Sequence, residues 1–465
     1  MPRMEPLEVQ ESEDVMARKR KSRQSSIFQS ASLATVTPQK GGGLSVKQAC
    51  MVSVNSGLGS SMAFFGWYPS QAGILGFILV TAVALVTAIL EQQALLRASI
   101  ERDANNFEDL CQPLPAWARK TTVYGGLVYL WSCGAYYCYF VEAFLHDQVC
   151  PRLGSPQDAW SAWLLCSNPY FTAVPVFIMV FLESYPAELS GFVSLVINYT
   201  NMITKVVVGF TALIKGLSTW ADLTEPETYE VWNVGGFLTV FSMLMGSFAN
   251  TGIMPQIATD VDHSVRDRAM VLCPIIAVSA QAPFGVTMGL CGYAGLGQSV
   301  QLDNFAVYAE KHNDFKTTIL QFGIALLCFL SMPLLFLPVK SQIWGFFSPE
   351  GKPLTEAPFK WQLSATMALT FSASYVPVVM GSDAMNVFLT VLSCTVGVWM
   401  NLLLPALVMI YCKILPDRRS GQKIGSSVLV ATWVLFLGIL GLIDGGRQLL
   451  PKSLFEGGKT TALVF

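Results

Sequence analysis

The chain has 465 residues, 52% of them hydrophobic and 13% charged, with a mean hydropathy of +0.48; about a quarter of an ordinary soluble domain is charged. No soluble core could enclose so much apolar surface, and a formal net charge of −2 without a basic stripe outside the apolar runs speaks against a nucleic-acid partner. The composition is that of an all-α polytopic membrane protein, with the lipid bilayer as its solvent.

Residues 1–43 are rich in Ser, Gln and charge, carry the run Arg18-Lys19-Arg20-Lys21 and end in Gly41-Gly42-Gly43. They read as a disordered cytoplasmic tail, its basic run setting topology or, alternatively, serving as a sorting or lipid-facing patch. No apolar core of a signal peptide precedes the first span, so the first helix is expected to stay.

A membrane helix needs ~17 to 25 apolar residues, and runs of that kind predict a transmembrane transporter domain over 44–450, followed by a short tail over 451–465. The predicted spans are 46–67, 71–95, 119–145, 169–185, 189–214, 233–256, 269–297, 316–339, 361–380, 384–412 and 425–447, eleven in all. With the N-terminus cytoplasmic, 21 of the 29 Lys and Arg residues fall on the cytoplasmic side and 7 on the other, the bias expected of inner loops. Lys205 lies inside a span. The loop over 147–168 then faces outward or into a lumen, and its Cys150 and Cys166 are either a disulfide or two free thiols. Most of the remaining cysteines sit in apolar runs as small hydrophobes, and no Cys or His spacing suggests a metal.

The first span contains Asn55-Ser56-Gly57-Leu58-Gly59-Ser60-Ser61, glycines and small polar residues in mid-membrane. Such a cluster is either a close helix-packing surface or a place where the helix is interrupted to form a binding site. The sixth span repeats the chemistry with Gly246-Ser247-Phe248-Ala249-Asn250-Thr251-Gly252 followed by Pro255. Interruptions at corresponding positions of two halves point to an inverted-repeat transporter.

The stretch from Gly246 to Gly297, with its proline after the small-polar break and its later Gly292-Tyr293-Ala294-Gly295-Leu296-Gly297, resembles the sixth and seventh helices of the amino acid/auxin permease family. Leu330-Ser331-Met332-Pro333-Leu334-Leu335-Phe336-Leu337-Pro338 is similar to the eighth helix of that family's sodium-coupled neutral amino acid transporters. Gly397 to Leu407, with Asn401 and Pro405, is similar to its tenth. The likeness runs from about residue 44 to 447, although the first span continues Ser60-Ser61-Met62-Ala63-Phe64-Phe65 where the family carries a Leu-Pro or Leu-Ser step.

The resemblance implies a five-plus-five inverted-repeat (LeuT-like) fold of about eleven helices with broken helices 1 and 6. It implies a secondary active transporter that moves amino acids by alternating access, without catalytic residue or cofactor, using a proton or sodium gradient. On that reading the backbone around Asn55, Ser56, Gly57, Leu58 and Gly59 cradles the substrate carboxylate, and Phe248, Ala249, Asn250 and Thr251 meet its amino end or side chain. Helix ends suit a zwitterion because they offer donors and acceptors without fixed charge.

For ion coupling, the resemblance makes Ser331 the hydroxyl of a sodium site and Asn55 a further oxygen ligand, since hard cations prefer oxygen; a serine in a membrane helix also bonds its own preceding turn. Lys205 stands where some related transporters carry a lysine in place of sodium, or else it snorkels to the membrane face. Glu91, Glu142 and Glu183 are placed near span ends, within reach of water. Tyr136, Tyr137, Tyr139 and Phe140 either line a pocket or form an interfacial belt. His146, His263 and His312 fall in loops or at helix ends.

The alternatives are a carrier of another small solute, such as a nucleobase or polyamine, on the same fold, and a non-transporting amino acid sensor. A membrane enzyme fits worst, since no cluster of His, Asp, Glu or Cys forms a catalytic set. The plasma membrane and a vacuolar or lysosomal membrane suit the sequence equally.

Overall fold

Lipid offers the backbone no hydrogen bonds, so a chain this apolar must satisfy its own peptide groups within helices. The computed structural model describes residues 45–56, 64–102, 104, 110–150, 170–184, 187–219, 229–248, 254, 257–258, 261–296, 315–348, 354, 357–411 and 425–449. Their elements are helices α1 (Val46–Ser56), α2 (Tyr68–Ala72), α3 (Ile74–Arg102), α4 (Ala116–Phe144), α5 (Tyr170–Ser184), α6 (Ala187–Thr219), α7 (Phe237–Phe248), α8 (Arg266–Leu296), α9 (Phe315–Phe347), α10 (Phe359–Leu392), α11 (Leu404–Tyr411) and α12 (Gly425–Leu449).

The first predicted span is two pieces. α1 stops at Ser56, and the chain resumes as a tight turn over Phe65–Trp67 that runs into α2. The sixth span likewise stops early, at Phe248 rather than 256. The ninth and tenth spans are continuous in hydrogen bonding but kinked at Gly381, whose φ of 74° and ψ of 170° break the helical path. Wide turns over Ser393–Gly397 and Trp399–Leu403 then lead into α11.

Within the described residues, five segments are long and apolar enough to cross a membrane: Ile74–Arg102, Arg266–Ala294, Phe315–Phe347, Phe359–Gly381 and Val387–Tyr411. Shorter apolar helices cover Thr172–Leu182, Val234–Phe248 and Ala431–Ile443. Large apolar side chains cover the outside of the bundle, among them Leu79, Val86, Ile203, Phe210, Val387 and Phe436. Water would not tolerate so much exposed apolar surface, whereas hydrocarbon does. The polyptych of spans is that of an integral membrane protein.

The packing is layered by partner. α4 lies against α9 and α10, α8 against α1, α3 and α6, and α7 against α3. Glycines allow the closest approaches: the Phe284 ring of α8 lies over Gly209, Val208 of α6 over Gly323, and the Phe336 ring over Gly134. Larger residues there would push the helices apart.

Gly73 joins α2 to α3 with φ +75°, a conformation glycine adopts without steric cost. The bend lets the chain pair with the segment entering α7: Asn233 N donates to Ala72 O at 2.8 Å, Ile74 N to Glu230 O at 3.1 Å, and Leu75 N to Val231 O at 3.0 Å. The Tyr293 hydroxyl accepts from Glu230 N at 2.9 Å, and the Tyr229 hydroxyl donates to Ala294 O at 2.9 Å. The Gly-Tyr motif of α8 thus anchors the approach to α7, and through it the first and sixth spans are tied together.

Candidate functional site

The two interruptions meet at the core. Phe65, where the first span resumes, and Phe248, the last residue of α7, are both fully buried with ring centroids 6.0 Å apart. Phe64 packs on Tyr136 and Phe140 of α4 at 5.1 and 5.7 Å, and Phe65 on Tyr68 at 5.2 Å. Tyr136 and Phe140 are themselves 5.0 Å apart, edge to face, the geometry favoured by ring quadrupoles. Of the two readings of the aromatic run on α4, the interfacial belt fails for these residues, since Tyr136 is 1% and Phe140 5% exposed. They form a wall beside the break because the bundle surrounds them.

A helix that ends inside the membrane leaves carbonyls without intrahelical partners. At α7 one of them is met by a residue from another helix: Gln92 of α3 donates through Nε2 to Phe248 O at 2.8 Å. Gln92 is fully buried, and its Oε1 has no partner among the described residues. The Tyr68 hydroxyl is likewise buried, beside Ser247 of α7 yet without a hydrogen bond of good geometry. Unpaired buried polar atoms are uncommon in folded proteins and mark places that call for explanation. Here they gather at the interruptions. On the other side of α7, Tyr129 hydrogen-bonds Asn401, and both approach Gly246, so the Asn of the tenth-helix motif braces the broken helix.

The expected substrate-binding residues are only partly on view. Asn55 occupies the last turn of α1 and Ser56 its final position, and Phe248 ends α7. The side chains of Asn55 and Ser56, and the residues Gly57, Leu58, Gly59, Ala249, Asn250 and Thr251, lie outside the described part of the structure.

Ser331 of α9 is 6% exposed and accepts from Asn201 Nδ2 of α6 at 3.2 Å; Asn201 Oδ1 has no partner among the described residues. Lys205 is one turn beyond Asn201 and 6% exposed, and α6 begins at Ala187. The lysine therefore sits deep in its helix, not at an end from which it could snorkel. Ser331 and Lys205 thus lie along one seam, where α6 packs on α9.

Three further expectations meet the structure. Glu91 is not near a helix end, since α3 runs on to Arg102 and the residue is fully buried. Glu142 is in the last turn of α4 and only partly buried, whereas the side chain of Glu183 lies outside the described residues. Cys150 is disulfide-bonded; Cys166, its expected partner, also lies outside them.

Sequence reasoning passed over Gln92, Asn201, Phe65 and Gln281. Each stands singly in an apolar run, and the contact that gives Gln92 its role is 156 residues away in the chain. A glutamine in mid-span was the available signal, because polar groups in membrane helices are costly.

Comparison with known proteins agrees with this geometry. The fold resembles MhsT, solved in complex with L-phenylalanine, with a TM-score of 0.56 at 12% identity over 88% of this chain and 98% of that one. It also resembles the manganese transporter of Eremococcus coleocola, with a TM-score of 0.57 for one variant at 11% identity over 94% of this chain and 93% of that one. A complex of that transporter with an aromatic bis-isothiourea compound gives 0.52 at 13% identity over 89% and 87%. At such identities the likeness speaks for the fold, the five-plus-five inverted repeat with broken first and sixth helices. No match was found among curated proteins. Residues 42–446 match the family described as Transmembrane amino acid transporter protein, and with nearly the whole membrane part covered, the chain belongs to that family of membrane transporters.

Proposed function

We propose that the protein moves amino acids across its membrane by alternating access, driven by a proton or sodium gradient. The observation that carries this reading is the meeting of the two interrupted spans at Phe65 and Phe248, with unpaired polar atoms of Gln92 and Tyr68 beside them. Helix ends in a dry site recognise an α-carboxylate and an α-ammonium with oriented dipoles, and the surrounding aromatic rings supply apolar surface for a side chain. Family membership supports the same substrate class.

Coupling is placed on the α6–α9 seam. Ser331, with Asn55, offers oxygen ligands for sodium, and Lys205 offers a group that can carry a proton. We also place the N-terminus on the cytoplasmic side, in a plasma or vacuolar/lysosomal membrane, and pair Cys150 with Cys166 across the non-cytoplasmic loop.

The test is uptake of single labelled amino acids into proteoliposomes under an imposed sodium gradient, an imposed proton gradient, or neither. Stimulation by one gradient supports the reading. If nucleobases or polyamines are taken up and amino acids are not, the substrate class is wrong; if amino acids bind without moving, the protein is a sensor.

A further inference from the structure

Gln281 lies mid-way along α8 and is 1% exposed, yet among the described residues neither its Nε2 nor its Oε1 has a hydrogen-bond partner. Burying a primary amide unpaired at both ends is costly, so the position is unlike that of Gln92, which meets a backbone carbonyl.

Its neighbours on the helix fix the direction in which it faces. Two turns earlier, Cys273 meets Cys50 of α1, sulfur to sulfur, at 3.4 Å. One turn later, the Phe65 ring lies 2.5 Å from where a Cβ on Gly285 would stand. A further turn on, the Phe77 ring lies against Gly289. Residues four apart share a helix face, so Cys273, Gln281 and Gly285 belong to one stripe turned toward the first span. Both ends of that stripe touch the first span, below its interruption at Cys50 and above it at Phe65. Gln281 is at the height between them.

A neutral amide offers donors at nitrogen and an acceptor at oxygen. A carboxylate would engage only the nitrogen, and an ammonium only the oxygen. One hydroxyl oxygen cannot meet both at good angles. Another carboxamide can, through two parallel bonds. If, as proposed above, amino acids are carried with their charged ends at the helix interruptions, the amide of Gln281 remains for the side chain.

We propose that Gln281 is a specificity-determining residue that hydrogen-bonds the side-chain carboxamide of the transported amino acid. The inference rests on the amino acid transport reading. The Phe65 ring beside it supplies the apolar surroundings that make an unmatched side chain unfavourable.

The experiment compares uptake of glutamine and of methionine, which has nearly the same size without the carboxamide, by the wild-type protein and by Gln281→Met in proteoliposomes. Alanine uptake is measured alongside, because alanine has no group for Gln281 to bond. The wild type is expected to favour glutamine over methionine by roughly 10-fold or more in kcat/KM, the scale of one or two unpaired buried polar groups. Gln281→Met is expected to erase that preference while alanine uptake stays within about 2-fold, the scale of a tolerated volume-conserving swap. A wild type that carries amino acids with no preference for glutamine over methionine overturns the proposal, whether or not the variant folds. Equal loss of alanine and glutamine in a variant of unchanged thermal stability also overturns it, assigning the amide to the common zwitterion or to the ion. A wild type that carries no amino acid overturns the transport reading along with it.

Discussion

Gln92 serves the helix break in two ways, by holding the carbonyl that the end of α7 leaves free and by presenting an unpaired oxygen next to it. Gln92→Leu strands that carbonyl away from water. A buried group left unsatisfied costs about 1–3 kcal/mol, so the purified variant should unfold at a lower temperature in a thermal-shift series, and an unchanged midpoint would mean that the carbonyl has another partner. On the α6–α9 seam, the two coupling schemes separate by substitution. With sodium coupling, Ser331→Ala loses the stimulation by a sodium gradient, measured as initial uptake rate, while Asn201 loses the oxygen it donates to. With proton coupling, Lys205→Ala abolishes stimulation by a proton gradient and leaves gradient-free exchange in place. A Lys205→Ala variant whose stimulation by both gradients is normal would remove the lysine from the mechanism.

At the scale of elements, the joint between α2 and α3 is the most exacting. Gly73 has φ +75°, and a Cβ there would run into the backbone of Val231 and Trp232. Gly73→Ala therefore combines an unfavourable dihedral with a clash against main chain. It should lower thermal stability by about 1–3 kcal/mol, whereas Gly345→Ala, where an added Cβ meets nothing within 4 Å, should leave stability unchanged or slightly raised. Much at this scale was legible beforehand. The spans announce themselves because lipid demands about twenty apolar residues per crossing, and the breaks show as glycines and hydroxyls in mid-run around Gly57 and Gly246. The depth of Lys205 followed once α6 was seen to start at Ala187. What a single sequence does not show is which distant residues converge. Nothing local distinguishes Gln92 and Gln281 from one another, although one meets Phe248 O and the other meets no described residue. Likewise, Tyr136 and Phe140 differ from belt aromatics only through the helices packed around them.

For the whole molecule, the tie between the first and sixth spans, through Asn233, Glu230 and Tyr293, makes their outer pieces move as a unit. Alternating access then amounts to displacement of that unit and its partners relative to α4 and α9, which pack on each other; rocking of one bundle against another around a fixed site is how such repeats work. The most direct measurement of amino acid carriage by alternating access is counterflow. Proteoliposomes preloaded with an unlabelled amino acid, and held without any ion gradient, are given a trace of the same labelled amino acid outside. The account predicts a transient accumulation of label above equilibrium that empty liposomes and unloaded proteoliposomes lack. If no amino acid in the panel produces that overshoot while the protein remains folded in the membrane, the account is contradicted.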